Sequence, residues 1–459
     1  MSGAGTIKRV LVANRGEIAR RVFRSCRALG LETVAVYSEV DRAAAHVAEA
    51  DRSVLLGPAP ARESYLVIDK VLAAARETGA DAIHPGYGFL SENAAFAEAV
   101  AAEGLVWIGP QPEVILAMGD KQRARDLASA AGVPVVPGSG RFAEGETAGL
   151  AEAAARVGYP LLVKASAGGG GIGMRRVDHE ADLAKTVAAT QSMAGKSFGD
   201  GSVFLERFVP KARHIEIQVF GFGDGTAIHL FERDCSLQRR FQKVIEESPA
   251  PGLPNAVRAA MAEAALRLAR AVRYAGAGTV EFIVDAETFA FFFLEMNTRI
   301  QVEHPVTEMV TGRDLVAMQI RLAGVVQEPI AQSDIACRGH AIECRLYAEN
   351  PAKMFMPSPG KLERFAPPAA SNHLRIDSGY RQGDSVTPFY DPMLAKVVTW
   401  DENRAQACER AAAALRAFDV EGLQCNRNFL IACLMDDAFA RGDLHTGFID
   451  ARKAALIAA

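Results

Sequence analysis

A chain of 459 residues is too long for one ordinary hydrophobic core and implies two or three domains. Apolar residues make up 49%, charged residues 23%, and the net charge of −4 is dispersed over both signs, so neither a basic stripe for nucleic acid nor an acidic tail is present. The apolar run Phe289–Leu294 is far too short to span a bilayer, and Met1–Val12 lacks the pattern of a signal peptide, so no membrane partner is expected and a cytoplasmic location is. Seven cysteines, an odd number without CxxC spacing, read as reduced, buried structural thiols.

Taken in chain order, Lys8–Ala13 reads as a short strand. Ile18, Val22, Cys26 and Leu29 then repeat at helical spacing until Gly30, and Thr33–Tyr37 reads as a second strand. Strand-helix-strand at this length predicts a parallel crossover and a Rossmann-like domain over 1–119. Its first turn, Asn14-Arg15-Gly16-Glu17, lacks the GxGxxG of a dinucleotide site. Pro134, Pro137, Gly138 and Gly140 mark a break, and 120–140 reads as a linker. A small mobile lid domain is expected over 141–208, with strands Leu161–Ala165 and Met174–Val177 on either side of a glycine run. A larger mixed domain over 209–459 includes a helix Ala256–Tyr274 that Asn255 is placed to cap. The fold class is therefore α/β and α+β.

Consecutive glycines between two strands, Gly168 to Gly171, let backbone N–H groups approach a polyphosphate, and Lys164 at the strand end adds a point charge. No Gly-Lys-Ser/Thr follows, so this is not a Walker A loop; a hairpin lid over nucleotide and a plain surface hairpin are the two readings. Lys121, just before the lid, is a second candidate for the same phosphates. Gly278–Val284 and Phe289–Asn297 read as an antiparallel hairpin with its turn near Asp285–Thr288, which sets Glu281 opposite Glu295. If the chain stays extended, Glu295, Asn297, Arg299, Gln301 and Glu303 share one polar face. Two carboxylates and an amide oxygen on such a face suit Mg²⁺, because carboxylates inside apolar strands need a cation.

Over roughly 7–450 the chain resembles the biotin carboxylase branch of the ATP-grasp enzymes. The resemblance is carried by Asn14-Arg15-Gly16-Glu17-Ile18-Ala19, by Ala82 to Asn93 (AIHPGYGFLSEN), and by Glu232 to Arg240 (ERDCSLQRR). It continues through Glu295 to Glu308 (EMNTRIQVEHPVTE), Glu343-Cys344-Arg345 and Pro357-Ser358-Pro359-Gly360. The resemblance implies an ATP-grasp fold with three domains, typically in a homodimer. It implies that Lys121, Lys164, Gly170, Gly171, Glu206, Val209 and His214 hold ATP, together with Glu281 and Glu295. It further implies that Glu281, Glu295 and Asn297 hold Mg²⁺ or Mn²⁺, and that Lys243, Arg299, Gln301 and Val302 bind bicarbonate. Glu303 would be the general base, and Arg345 would face the ureido group of biotin. Catalysis would rest on Lys243, Arg299, Glu303 and Arg345. The implied reaction is carboxylation of biotin through carboxyphosphate, the first half-reaction of an acetyl-CoA or other acyl-CoA carboxylase, with a biotin carboxyl carrier protein and a carboxyltransferase subunit as partners. No Met-Lys dipeptide occurs, so biotin is expected on a separate carrier.

These residue types suit that chemistry. Lysines and a metal offset the repulsion between bicarbonate and a phosphoryl group. A carboxylate near Arg299 stays ionised and can take a proton, and an arginine fork keeps its charge beside a biotin oxyanion. Two positions depart from the family: Phe241 stands where histidine is usual, and Ile172 where a basic residue is common. The stretches Ala167–Gly173 and Gly195–Asp200 look closer to urea-carboxylase-type chains, whereas Asp377–Gly379 and Asp391–Lys396 look like acyl-CoA carboxylase alpha chains. Alternative readings are another ATP-grasp ligase using ammonia and a non-catalytic scaffold subunit, against which the retained Lys243, Arg299, Glu303 and Arg345 argue.

Overall fold

The computed structural model describes residues 7–166, 173–324 and 330–458. The expected opening elements form: β1 (Arg9–Val12), helix α1 (Gly16–Ala28) and β2 (Glu32–Ser38), with β1 and β2 parallel. With β3 (Arg52–Gly57), β4 (Ala82–His84) and β5 (Val106–Trp107) they make a five-stranded parallel sheet in the order β3-β2-β1-β4-β5. Gly16 opens α1 at φ 63, a left-handed conformation that glycine adopts without a side-chain clash. Ile18, Val22, Phe23 and Cys26 bury the inner face of α1.

The small sheet matches the predicted strands. β6 (Leu161–Ala165) lies between β7 (Met174–Val177) and β8 (Val203–Arg207), over a core that includes Leu150, Val163, Val187 and Leu205. The intervening Gly170, Gly171 and Ile172 lie outside the described residues.

The framework of the site is an antiparallel sheet of eight strands. Its order is β13 (Phe291–Asn297), β12 (Ala275–Asp285), β9 (Ala212–Phe222), β10 (Ala227–Arg239), β11 (Gln242–Ser248), β14 (His340–Tyr347), then strands Met393–Asp401 and Leu374–Ser378. On one face Ile245, Cys344, Leu346 and Val397 pack on helices Arg404–Ala417 and Arg427–Leu434. The opposite face carries polar side chains, buried under helix His304–Thr311.

Three expectations are corrected. Asn255 does not cap its helix: the helix runs Asn255–Ala271 with Pro254 before it, and Asn255 Oδ1 accepts from Arg258 Nη1 at 2.5 Å instead. The polar face from Glu295 to Glu303 is not one extended strand. β13 ends at Asn297, and Glu303 already stands at the N-terminus of helix His304–Thr311. The cysteines are all free, but Cys337, Cys408 and Cys425 are only partly buried.

Candidate active site

Side chains two apart on a strand share a face, and the register lines four of them in one transverse row. Arg233 on β10 faces Glu216 on β9, Glu216 faces Glu281 on β12, and Glu281 faces Glu295 on β13. A register irregularity follows Glu281, and two more lie between Asp234 and Gln238, so the ladder is disturbed where the side chains converge. Among these, Arg233 and Glu216 are fully buried.

Lys243 is the hub. Its Nζ lies 2.7 Å from Glu216 Oε2, 2.9 Å from Glu281 Oε1 and 2.5 Å from Glu303 Oε1. Burial works against its charge, but Glu216, Glu281 and Glu303 outweigh it and hold the ammonium well above its ordinary value. Arg233 braces Glu216: Nε lies 2.6 Å from Glu216 Oε1, and Nη1 donates to Gln218 Oε1 at 2.7 Å and Thr307 Oγ1 at 2.9 Å. His214 Nε2 lies 3.0 Å from Glu281 Oε2. Burial disfavours its charge, yet Glu281 and Glu216 together raise its pKa to about 9.

Glu303 is buried between two cations. Its Oε1 meets Lys243, and its Oε2 accepts from Arg345 Nη2 at 3.0 Å. Burial pushes its pKa up, Lys243 and then Arg345 and Arg233 pull it down further, and the carboxylate ends below its usual range, ionised at neutral pH. Gln301 Nε2 donates to Glu281 Oε1 at 3.1 Å. Arg299 donates from Nε to Glu92 Oε2 at 2.8 Å and from Nη2 to Asn297 Oδ1 at 3.1 Å. The carbonyl of Val302 accepts from Lys396 Nζ at 3.0 Å, and the same fully buried ammonium lies 3.1 Å from Glu17 Oε2.

Residues far apart in the chain therefore meet: His214, Lys243, Glu281, Asn297, Arg299, Gln301, Val302, Glu303 and Arg345 surround one centre, with Glu295 at its β13 edge. Lys121, in the first turn of helix Lys121–Ala130, draws the Glu295 pKa down, against burial and Glu281, which raise it on balance. Lys164 and Glu206 form an ion pair with each other on the small sheet, and Arg125 Nη1 reaches Glu206 Oε2 at 3.4 Å. Val209 lies in the segment joining β8 to β9. Phe241 sits with Arg240 at the β10–β11 turn, both at positive φ, and the residue is 63% exposed, so it does not occupy an apolar niche.

Two adjoining carboxylates, the buried Glu281 and the half-buried Glu295, suit a divalent cation, and ligand atoms of His214, Glu216 and Glu281 lie within 4.8 Å of one another. Asn297 departs from the expected oxygen face. Its Nδ2 donates to Glu281 Oε1 at 3.0 Å while its oxygen turns to Arg299. Glu216, Arg233, Glu246, Glu343 and Lys396 have no role assigned from the sequence, although Arg233, Glu343 and Lys396 lie inside the motifs quoted above. The alternation His214-Ile215-Glu216-Ile217-Gln218, polar on one face of an apolar strand, was the signal for Glu216.

Comparison with known proteins agrees with this architecture. Residues 6–115 match the family model "Biotin carboxylase, N-terminal domain", 120–328 match "Carbamoyl-phosphate synthase L chain, ATP binding domain", and 343–451 match "Biotin carboxylase C-terminal domain". The chain is 47% identical over 446 residues to Biotin carboxylase 1 of Bacillus subtilis, covering 97% of this chain and 98% of that one. It is 48% identical over 452 residues to the mitochondrial methylcrotonoyl-CoA carboxylase subunit alpha of Dictyostelium discoideum, where it covers 98% of its own length but only 64% of that relative. Among solved structures, the biotin carboxylase domain dimer of Hydrogenobacter thermophilus 2-oxoglutarate carboxylase, in complex with MgADP, ADP and bicarbonate, superposes with a TM-score of 0.91 at 41% identity, covering 98% of this chain and 99% of that one. With a relative of 47% identity matched along nearly its entire length, a shared ATP-grasp fold and a buried Lys243–Glu303–Arg345 centre, the chain belongs to the biotin carboxylase family of ATP-dependent ligases that carboxylate biotin.

Proposed function

We propose that the residues around Lys243 carry out the bicarbonate and biotin steps of this ligase. The observation that carries the assignment is the clamping of Glu303 between Lys243 at 2.5 Å and Arg345 at 3.0 Å. Two cations hold the carboxylate ionised, ready to take the bicarbonate proton. Lys243, Arg299, Gln301 and the Val302 backbone bind bicarbonate there. Its oxygen attacks the terminal phosphorus of ATP, ADP leaves, and the carboxyphosphate so formed releases CO₂ and phosphate. Phosphate takes the ureido proton of biotin, and Arg345 offsets the charge on the ureido oxygen.

Lys121, Lys164, Gly170, Gly171, Glu206, Val209 and His214 bind ATP in this reading. Glu281 and Glu295 hold Mg²⁺ or Mn²⁺, and Asn297 joins them once its amide turns its oxygen inward. The metal supplies positive charge to the phosphate oxygens. Bicarbonate-dependent ADP release, measured with and without free biotin, tests the assignment: stimulation by biotin is expected, and its absence sinks it.

The final acceptor is an acyl-CoA, supported by the methylcrotonoyl-CoA carboxylase relative. Acetyl-CoA, and with it fatty acid biosynthesis, is one member of that class. The partners in this reading are a biotin carboxyl carrier protein, a carboxyltransferase subunit and a second copy of the chain. The homodimer is supported by the dimeric structural relative. Among the described residues no helix is long and apolar enough to cross a membrane. A cytoplasmic location belongs to this reading and is supported by the likeness to a bacterial biotin carboxylase.

A further inference from the structure

Behind the biotin-facing arginine lie two acids with no role in the scheme above. Glu246 on β11 stands directly opposite Glu343 on β14, and both are fully buried. None of their four carboxyl oxygens has a hydrogen-bond partner among the described residues. Arg345, two residues beyond Glu343, shares its face of the sheet. Its Nη2 is shared unequally. It donates to Glu303 Oε2 at 3.0 Å, whereas Glu246 Oε1, at 2.5 Å, is a charge contact without hydrogen-bond alignment. Burial and mutual repulsion disfavour charge on both abutting carboxylates, even with Arg345 and Lys396 near, so one carries a proton. Burial and Glu246 raise Glu343 well above its usual value although Lys396 opposes them, which makes Glu343 the neutral partner.

We propose that Glu246 is a positioning residue for Arg345, its reserve anion during the part of the cycle in which Glu303 is neutral. The inference rests on the roles given above to Glu303 and Arg345. When the bicarbonate O–H breaks and its proton bonds to Glu303, the carboxylate becomes a neutral acid and its pull on the guanidinium falls. No proton moves to Glu246. It keeps its charge, and a small rotation brings Nη2 into alignment with it. Arg345, charged throughout, therefore stays in place when the biotin oxyanion forms. Removing Glu246 leaves the guanidinium without an anion at that moment.

The groups facing Glu246 are Arg345, Glu343 and Tyr347 from β14, Cys235 from β10, Glu303 from the start of helix His304–Thr311, and Lys243 from its own strand. Burial, reinforced by Glu303 and opposed by Arg345, sets Glu246 at about 7, so the anchor itself fades on acidification.

The test uses the full chain, saturating MgATP and bicarbonate, and free biotin between about pH 6 and pH 9. Wild type is expected to lose biotin-dependent turnover below a midpoint of about 7. Glu246→Gln should lower kcat at the alkaline end by about 10²-fold and remove that acid limb. The KM for MgATP should stay within roughly twofold, since the substitution does not touch the ATP residues. Glu343→Gln, which mimics an already neutral acid, should keep most of the turnover. Should Glu246→Gln fail to bind MgATP for want of folding, Glu246→Asp decides: it retains the anion and must retain the acid limb. A Glu246→Gln enzyme with the wild-type rate and pH profile, an equally impaired Glu343→Gln, or a Glu246→Asp without the limb overturns this inference alone. A wild-type chain without biotin-dependent turnover overturns the functional reading with it.

Discussion

Replacing Glu303 by Gln keeps the shape of the side chain and removes its capacity to take a proton. The structure sets the cost. Both carboxylate oxygens accept from cations, Oε1 from Lys243 at 2.5 Å and Oε2 from Arg345 at 3.0 Å. An amide satisfies one of them with its oxygen and confronts the other with an N–H group, a local penalty of about 1–3 kcal/mol. Lys243 keeps Glu216 and Glu281, so the strands need not separate and ATP should still bind. The chemical loss is larger: a missing general base costs about 10²–10⁴-fold, or about 2.7–5.5 kcal/mol of barrier. Biotin-dependent ADP release at saturating MgATP gives the rate, and calorimetry gives nucleotide affinity. Turnover within about tenfold of wild type, with intact ATP binding, would remove Glu303 from the role of base.

Three further outcomes are expected. Lys396→Met should destabilise the chain by about 3–5 kcal/mol because it strands Glu17 in the interior, and adding Glu17→Gln should restore much of the thermal midpoint; a double variant no better than the single one refutes the pairing. Glu247 is held at about 2 against burial by His340 and Arg404, so its contribution of about 3 kcal/mol is complete above 4.5 and disappears as pH falls towards 2; Glu247→Gln should flatten acid unfolding across that window, and an unchanged slope counts against it. Phe241→His, at an exposed turn tip, should tighten ATP by about 0.5–1.5 kcal/mol by calorimetry at fixed Mg²⁺, and unchanged or weaker binding refutes that.

The hairpin that pairs Glu281 with Glu295 was legible because two apolar strands flanking a short polar turn fix their own register. The strands bordering the glycine run were legible for a similar local reason, since β6 and β7 begin and end where the polar and glycine residues interrupt them. The shared polar face depends on an extended chain beyond Asn297, and that condition fails, because alternating polar and apolar residues also suit a turn whose side chains face a buried charge. The helix that begins at His304 imposes the bend. Lys243 and Glu303 could be named from motif likeness, but their contact joins residues 60 positions apart and depends on how β11 meets a helix terminus from another part of the chain. Arg233 and Lys396 lie inside quoted motifs but, like Glu246, have no role legible in the sequence, because the partners that make a buried charge tolerable lie on other strands. No local pattern reports them.

The eight-stranded sheet is assembled across the stretch that separates the two later family matches: β11 belongs to 120–328, while β14 and the two strands beyond it belong largely to the segment matched over 343–451. Modules recognisable by sequence are thus not separable pieces of architecture. A fragment ending at Gly324 would expose the whole pairing edge of β11, with Ile245 stripped of its cover, and would present a ready template for strand addition by other chains. A subunit of this kind has to be shortened, fused or transplanted as a single unit, and any natural shuffling of its parts must have carried both halves of that sheet together.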